Sequence, residues 1–320
     1  MLTKNTKRNG KLTVKEVTTE TAKSIITKNH YSKKWGASFG KLNLGIFKDG
    51  KLDESGCLGV AVFGDLMNPT SVAKISDVLK QENILELNRL WLNDCIEKNA
   101  ETVFLSLAFK YIKKYRPEVK VIQSFADGRL GVGTVYKAAN FKYYGANKTI
   151  FFEHLDGSVT HRVSFVNTRK LPAMLSLNLL YCLGEFKKFA VNSYRYLYFL
   201  DRNLIPKIKL KEMPYPVYQK GVEYDKEYKL GLNALARVAL SFEKIGLLPH
   251  KKVVVDYIKN TFDKEDITSE ELEELSQSKL FEEIWSDHSA ADNIRKRYYN
   301  RLNLHPNENR EVLLWEYIGK

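Results

Sequence analysis

Apolar residues recur with two different periods along the first two thirds of the chain, and the period distinguishes strands from helices. The strand-like pattern occurs in five runs, at residues 12–17, 42–47, 57–63, 84–92 and 119–125. Helical spacing extends from Thr102 to Tyr115 and stops at Arg116-Pro117. Shorter helices are predicted from a cap at Thr19 or Thr21 to about Lys28, and over residues 133–140.

The order of these elements predicts an α+β fold, with a mixed sheet flanked by helices on both faces. The runs 42–47 and 57–63 enclose a polar turn, so we expect them to form a hairpin. A second hairpin is predicted from residues 150–154 and 161–165, across Asp156-Gly157.

A further strand is predicted at residues 191–200, where Tyr194, Tyr196 and Tyr198 alternate as if on an exposed face. The segment Met213 to Val217 contains two prolines and is predicted to be a linker.

Beyond this segment the pattern is helical, which predicts a small all-helical C-terminal domain of unknown role. Helices are expected over residues 230–247 and 252–261, in a last segment at 290–304, and from Thr268, where Glu271 completes a capping box. We therefore divide the chain into a first domain at residues 1–212 and a second at 213–320.

The net charge of +13 is distributed unevenly along the chain, and the distribution bears on the kind of partner. Residues 1–212 hold 35 basic and 19 acidic side chains, whereas residues 213–320 hold 16 and 19. An excess of +16 in the first domain favours a polyanionic partner, nucleic acid above all. A coenzyme A phosphate site or a solubilising charge would need a smaller excess.

Cysteine usage and hydropathy bear on the compartment. The three cysteines are scattered and odd in number, which indicates a reducing environment; their spacing predicts no zinc site, and we assign no metal ligand. No apolar stretch approaches the length of a membrane span, and no signal-peptide pattern follows the basic start. We expect a cytoplasmic protein that makes no contact with membranes.

Polar side chains concentrate where the run 119–125 ends. Ser124 and Asp127 stand at the strand end, a turn with Gly131 and Gly133 follows, and Tyr136 lies on the next helix. A site at the edge of an α/β sheet has this composition. Each residue also has a structural interpretation, as a satisfied strand end, a turn residue or a packing tyrosine.

The segment from 119 to 145 resembles the second half of an acyl-CoA-dependent N-acetyltransferase domain of the GNAT superfamily. In that superfamily a helix with a Tyr-Lys-x-x-x-Phe pattern follows the fifth strand, as Tyr136 to Phe141 do here. The resemblance implies acetyl-CoA or a related acyl donor. It also implies a phosphate site at the start of the helix that begins near Thr102, although the usual glycine-rich loop is missing. The candidate residues are Lys98, Asn99, Ala100, Glu101 and Thr102; an ordinary helix start capped by Asn99 is the alternative.

Four segments in order resemble the Mom family of bacteriophage DNA-modification proteins, an atypical GNAT branch. They are His30-Tyr-Ser32, Glu86-Leu-Asn-Arg-Leu90 with Lys98 to Thr102, Ser124 to Gly145, and Ser193 to Asp201. The resemblance covers about residues 20 to 212. It implies transfer of an acetamide-like group to the exocyclic N6 of adenine in double-stranded DNA, which shields phage DNA from restriction enzymes.

By position in the family, the functional residues are His30, Ser124, Asp127 and Tyr136. Asp127 or His30 is expected to accept the amine proton, Tyr136 to protonate a leaving thiolate, and Ser124 to orient either group. We expect DNA contacts from Lys33, Lys34, Trp35 and Arg195.

Two other functions remain open at this point. One is a conventional N-acetyltransferase that acts on a protein, a peptide or a small amine. The other is a non-catalytic DNA-binding or anti-restriction protein, which the missing phosphate-loop glycines favour. The positive excess argues against the first of these alternatives, and the presence of His30, Asp127 and Tyr136 argues against the second.

Overall fold

A computed structural model describes residues 1–7, 10–36, 38–66, 70–96, 99–161, 173–219, 224 and 230–276. The chain forms two compact units. Unit 1 contains Met1–Lys148 and Asn192–Gly221, and unit 2 contains Thr149–Val191 and Val222–Lys320. Each unit is thus assembled from two separate segments of chain. The division at residue 212 stays a prediction.

Unit 1 is built on a mixed sheet, as predicted. Its strands are β1 Leu2–Thr6, β2 Gly10–Glu16, β3 Leu42–Lys48, β4 Gly59–Gly64, β5 Ile84–Leu92, β6 Val121–Asp127, and the parts of β7 Lys142–His154 and β9 Phe186–Phe199 that belong to this unit. The spatial order is β1-β2-β3-β4-β5-β6-β9-β7. Strands β1 to β5 pair antiparallel with their neighbours, β5 and β6 pair parallel, and β6 and β9 pair antiparallel.

Helices cover both faces of this sheet, which confirms the predicted α+β class. The helices of unit 1 are α1 Thr19–Asn29, α2 Ser71–Ile75, α3 Ala100–Tyr115 and α4 Thr134–Ala138. We call one side the α3 face, because α3 packs there on Phe63, Leu85 and Ile122. The α1 face is the other side, where Ala22 and Ile26 of α1 pack on Val60 and Val62. Since successive side chains of a strand alternate between faces, each strand residue can be assigned to one of them.

Four details of unit 1 differ from the predictions. Thr18 rather than Thr19 or Thr21 caps α1, and its hydroxyl accepts from the Thr21 N–H at 3.2 Å. Strand β1 was not predicted, and β7 begins well before residue 150. The exposed tyrosine face is wrong, because Tyr194, Tyr196 and Tyr198 pack in the core of the α3 face, where Tyr196 is only 1% exposed.

The segment predicted as a linker is attached to unit 1. The Met213 N–H donates to the Tyr143 carbonyl at 2.9 Å, and the Tyr215 hydroxyl donates to the Phe141 carbonyl. The Tyr215 ring packs against the α3-face core and stacks on Tyr196. Main-chain and side-chain contacts therefore fix this segment, in spite of its two prolines.

Unit 2 contains the remaining strand segments and four helices among its described residues. Strand β8, Val159–His161, pairs with β7, and the helices are α5 Ala173–Cys182, α6 Leu232–Lys244, α7 Leu248–Phe262 and α8 Ser269–Ser276. Their apolar side chains share one core, with Leu235, Phe242 and Val254 among its buried members.

The capping box at the start of α8 is confirmed. The Thr268 N–H donates to Glu271 Oε2 at 2.8 Å, and the Glu271 N–H donates to Thr268 Oγ1 at 3.2 Å. The predicted helix at 290–304 and residues 162–165 of the predicted hairpin lie outside the described residues. Within the described chain, none of the helices combines the length and apolar character needed to cross a bilayer.

Replacing Tyr215 with alanine should destabilise unit 1 by roughly 2 kcal/mol, because the variant loses a packed ring and a hydrogen bond. Tyr218→Ala is the matched control, since Tyr218 is 59% exposed and should cost less than about 0.5 kcal/mol. Urea unfolding of both variants measures the difference. Equal losses for the two would mean that the segment behaves as a free linker.

Candidate active site

Strands β5 and β6 separate after a short parallel ladder. Only three pairs are in register, and the last of them joins Glu86 to Gln123. Beyond that pair β5 continues to Leu92 beside β4, and β6 continues to Asp127 beside β9. We call the space between residues 87–92 and 124–127 the β5–β6 opening.

A bulge in β5 lies at the same place. Val62 of β4 pairs with Arg89 and Phe63 pairs with Leu87, so Asn88 is the additional residue. A bulge bends its strand and changes the direction of nearby backbone groups, and bulges are frequent beside active sites. The backbone of residues 87–89 is therefore re-aimed beside the β5–β6 opening.

On the α3 face, Ser124 and Tyr136 form a hydrogen-bonded chain across the opening. Ser124 is fully buried, and its hydroxyl donates to the Leu87 carbonyl at 3.1 Å. Tyr136 hydrogen-bonds with Ser124. The structure thus brings two of the predicted site residues together.

Burial determines the protonation state of Tyr136. It raises the pKa of the phenol to about 12; the Ser124 hydroxyl and the Arg89 charge oppose this shift, whereas Tyr31 and Glu86 add to it. The hydroxyl is therefore protonated at neutral pH. A phenol in this state can supply a proton to a basic atom that forms in the opening.

The turn before α4 places Tyr136 accurately. Gly133 has φ of 82°, and a Cβ there would lie 2.7 Å from the Tyr196 ring and 3.0 Å from Ala126 Cβ. Only glycine fits that space in the left-handed region. The Tyr196 hydroxyl also donates to the Val132 carbonyl, so the core of the sheet holds this turn in place.

On the α1 face, Asp127 forms an ion pair with Arg129. The Arg129 Nη2 lies 2.6 Å from Asp127 Oδ2, Nε lies 3.0 and 3.1 Å from the two oxygens, and the Arg129 N–H donates to Oδ1 at 3.0 Å. The Asp127 side chain is 15% exposed. To accept a proton from another group, Asp127 has to exchange one of these bonds.

His30 is the C-cap of α1, only 7% exposed. Its Nδ1 accepts from the Ser32 N–H at 3.1 Å, which assigns the proton of the neutral ring to Nε2. Burial, and then the Arg89 charge, lowers the pKa of His30 to about 4. The imidazole is therefore neutral at pH 7, with a donor at Nε2 and its lone pair engaged.

Three side chains near these residues were not predicted. Tyr31 is 58% exposed, and the loss of solvent around its hydroxyl and then the Asp127 carboxylate raise its pKa. Arg89 lies on the α1 face at the bulge, with its guanidinium 4.6 Å from the Phe39 ring centroid. Arg129 binds Asp127. Their sequence signal was their position inside or next to the motifs that contain His30, Glu86 and Asp127.

The predicted DNA contacts occupy different environments. Lys33 and Lys34 are exposed on the loop that follows His30. Trp35 is half-buried and packs edge-on against Phe39, with ring centroids 5.8 Å apart. Arg195 is half-buried on the α1 face, with its guanidinium 5.4 Å from the Phe125 ring centroid. Burial lowers its pKa, whereas the Glu86 charge opposes this shift.

At the start of α3 the described residues leave backbone donors available. Asn99 is the N-cap residue, as the alternative expected, with φ of 69°, and its side chain makes no capping bond within the described chain. Thr102 Oγ1 turns back to the Asn99 carbonyl at 2.8 Å. The first N–H groups of a helix have no intrahelical partner and favour anions, although the Glu101 carboxylate offsets part of this potential. Lys98 lies outside the described residues.

The low pKa of His30 predicts a dependence of stability on pH. The unfolded chain binds a proton near pH 6.5 and the folded chain near 4, so His30 destabilises the fold as pH falls between these values. We expect wild type to lose on the order of 2 kcal/mol through His30 between pH 7 and 5. Urea unfolding of wild type and His30→Gln at both pH values measures the loss of stability that is due to His30.

Burial also lowers the pKa of His250 in unit 2. The quantity to compare is therefore the difference in pH dependence between wild type and His30→Gln. His250→Gln serves as the second reference and should remove only its own contribution. A His30→Gln variant with the full wild-type pH dependence would contradict the assignment.

Comparison with known proteins gives the family. The sequence profile of the Mom protein family matches residues 11–217. The methylcarbamoylase mom of Escherichia phage Mu is 33% identical over 211 residues, which are 64% of this chain and 83% of that protein.

Two solved structures are among those similar to this chain. NAA60 of Arabidopsis thaliana in complex with acetyl-CoA aligns with 59% of this chain and 98% of its own, at 9% identity and a TM-score of 0.36. A protein provisionally assigned as a phosphinothricin N-acetyltransferase aligns with 60% of this chain and 99% of its own, at 10% identity and a TM-score of 0.31. On the sequence matches, this chain belongs to the Mom protein family.

Proposed function

We propose that this protein is a phage DNA-modifying transferase that adds an acyl or acetamide-type group to the exocyclic N6 of adenine. The modification would protect phage DNA from restriction enzymes in the cytoplasm of the host cell. Family membership supports the proposal, since the phage Mu relative is named a methylcarbamoylase. The observation that carries it is the β5–β6 opening, where a protonated tyrosine on one face meets an ion pair and a neutral histidine on the other.

The α3 face is the side from which an acyl donor would enter. The available N–H groups of residues 99–102 fit a pyrophosphate, and Tyr136 lies on the same face of the sheet. Acetyl-CoA or a related donor supplies an activated acyl carbon and a thiol leaving group. Tyr136 holds a proton at its hydroxyl oxygen, and Ser124 keeps that oxygen directed across the opening.

The α1 face is the side of the acceptor base. The N6 lone pair of adenine is delocalised into the ring, so a proton must leave as the nitrogen attacks. Asp127 is the candidate acceptor of that proton, because the Ser32 N–H engages the lone pair of His30. His30 would instead donate from Nε2 and orient the substrate.

The adenine has to leave the duplex stack to reach the opening, at a cost of about a few kcal/mol. Tyr31 offers an exposed ring beside Asp127 on which an extruded base can stack. Lys33 and Lys34 follow at once in sequence and suit backbone phosphates. The positive excess of residues 1–212 agrees with this polyanionic substrate.

A non-catalytic DNA-binding or anti-restriction protein is the second candidate. The absence of glycine from residues 94–102 favours it, because a conventional phosphate loop needs close backbone approach. The positive excess of residues 1–212 gives less support to a conventional N-acetyltransferase that acts on a protein or a small amine. The variants below distinguish all three.

Tyr136→Phe should lower the amount of modified adenine by at least about 100-fold, because the variant lacks the proton donor. Nucleoside mass spectrometry of plasmid DNA from expressing cells measures the product. Tyr144→Phe is the matched control, since burial raises its pKa to about 12 as well but the side chain packs on Phe199. Equal product from both variants would remove Tyr136 from the mechanism.

Asp127→Asn should abolish modification and leave the DNA dissociation constant unchanged. The amide keeps the shape of the carboxylate but cannot accept the amine proton. An N-acetyltransferase of other substrates would leave plasmid DNA unmodified in wild type too, and a non-catalytic protein would behave identically with and without the substitution.

Reversing the charges of Lys33 and Lys34 to glutamate should weaken DNA binding and reduce the slope of log K against log salt by about 2. Lys113 and Lys114 are the matched adjacent pair, exposed at the C-terminal end of α3. Their reversal should leave the slope nearly unchanged. Fluorescence anisotropy over a salt series measures DNA binding by both variants. Equal effects would mean that only the net charge of the protein matters, and not the position of Lys33 and Lys34.

A further inference from the structure

An exposed leucine lies at the edge of the candidate site. Leu130 belongs to the turn between β6 and α4 and is 60% exposed, whereas the other described leucines of unit 1 are buried or half-buried. A single exposed leucine is ordinary on a protein surface. Leu130 is distinguished by its position three residues after Asp127 and by the way its turn is held. Neither the predicted site residues nor the proposed proton transfers use it.

Hydrogen bonds fix the backbone of the turn around Leu130. The Leu130 and Gly131 N–H groups donate to the Asp127 carbonyl at 2.9 and 3.2 Å. The Gly128 N–H donates to the Asn192 carbonyl of β9 at 2.9 Å, and the tyrosine hydroxyl of β9 described above holds the far end of the turn. The Leu130 backbone is therefore attached to the end of β6, while most of its side chain is in solvent.

The tip of this turn stands clear of the rest of the chain. Gly131 has φ of 143°, and a Cβ there would meet no atom of the described chain within 4 Å. Tyr31, 58% exposed, lies at the same turn, because the charges of Asp127 and Arg129 both act on its hydroxyl. Two exposed side chains with large apolar surfaces, Leu130 and Tyr31, therefore lie next to Asp127.

Extrusion of a base from a duplex leaves a gap between the base pairs above and below it. Proteins that unstack bases frequently insert an apolar side chain such as leucine between base steps. The inserted side chain has to be exposed in the free protein, and its backbone has to be rigid, because ordering a mobile segment on binding costs entropy. Leu130 meets both requirements.

We propose that Leu130 is a wedge that enters the gap left by the extruded adenine, while the base itself lies against Tyr31 beside Asp127. This inference rests on the proposed function. Leu130 contacts the remaining base stack and takes no part in proton transfer. Because the turn is bonded to the Asp127 carbonyl, insertion of the wedge places the extruded base near the carboxylate that accepts its proton.

The experiment measures base extrusion without turnover. Duplexes carry one 2-aminopurine opposite thymine, and the flanking bases are randomised so that a sequence preference cannot exclude all of them. The fluorescence of 2-aminopurine rises when the base leaves the stack, and wild type at saturation should produce this rise in the absence of an acyl donor. Leu130→Ala should lower the extruded fraction roughly tenfold, because alanine buries much less apolar surface in the gap.

The affinity for DNA serves as an internal reference in the same experiment. Anisotropy gives the dissociation constant of each protein for these duplexes, and Leu130→Ala should stay within about threefold of wild type, because phosphate contacts dominate binding. Nucleoside mass spectrometry of plasmid DNA from expressing cells should show a loss of modified adenine by a factor similar to the loss of extrusion.

Leu130→Met and Val78→Ala are the matched controls. Methionine keeps an apolar side chain of similar size, so this variant should retain most of the extrusion. Val78 is 53% exposed between α2 and β5, and its truncation should change neither extrusion nor product. All three variants alter exposed positions, so their thermal midpoints should equal that of wild type.

The outcomes separate this inference from the proposed function. A wild type that modifies adenine in cells would overturn the inference alone if it gave no rise in 2-aminopurine fluorescence, or if Leu130→Ala gave the full rise. A Leu130→Ala variant that loses DNA affinity but keeps the extruded fraction would also overturn it, since Leu130 would then be an ordinary surface contact. A wild type that neither binds DNA nor modifies it would overturn both proposals.

Discussion

The site depends on the separation of two parallel strands. A strand that leaves its neighbour exposes carbonyl and N–H groups that the ladder would otherwise pair, and each such group has to find another partner. The Ser124 hydroxyl provides one by donating to the Leu87 carbonyl across the opening. The same hydroxyl also hydrogen-bonds with Tyr136, so the residue that compensates the broken ladder also positions the phenol of the site. The Ser124 hydroxyl oxygen therefore has both a structural role and a role in the site.

Protonation states on the two faces follow from burial more than from charge. Tyr136 and His30 both keep their neutral forms at pH 7, because burial disfavours the charged form of each. Each neutral group presents a proton donor, at the phenol oxygen and at Nε2. The Asp127–Arg129 ion pair supplies the charged groups of the site, and its mutual hydrogen bonds hold the carboxylate until a substrate displaces them.

Local patterns predicted much of this arrangement, because they are properties of short segments. The apolar runs that became β5 and β6, and the position of Asp127 at a strand end, can be recognised without partners. The elements that pack on a strand cannot be recognised from its own sequence. For this reason the tyrosines of β9 were wrongly placed on an exposed face. The orientation of the Gln123 amide depends on Glu86, 37 residues away in sequence, and no local signal contains it. For the same reason Arg129 was not recognised as the ion-pair partner of Asp127.

The position of β9 has a consequence for synthesis of the chain. This strand is the last of the nine described strands to be made, yet it takes a place between β6 and β7 in the interior of the sheet. While a ribosome is still translating the residues before 186, β6 has one unpaired edge, and the core under Tyr196 is incomplete. Unpaired edges of this kind attract other chains, so the nascent protein is most exposed to aggregation during that interval. Chaperone dependence and translation speed should therefore matter most between β7 and β9.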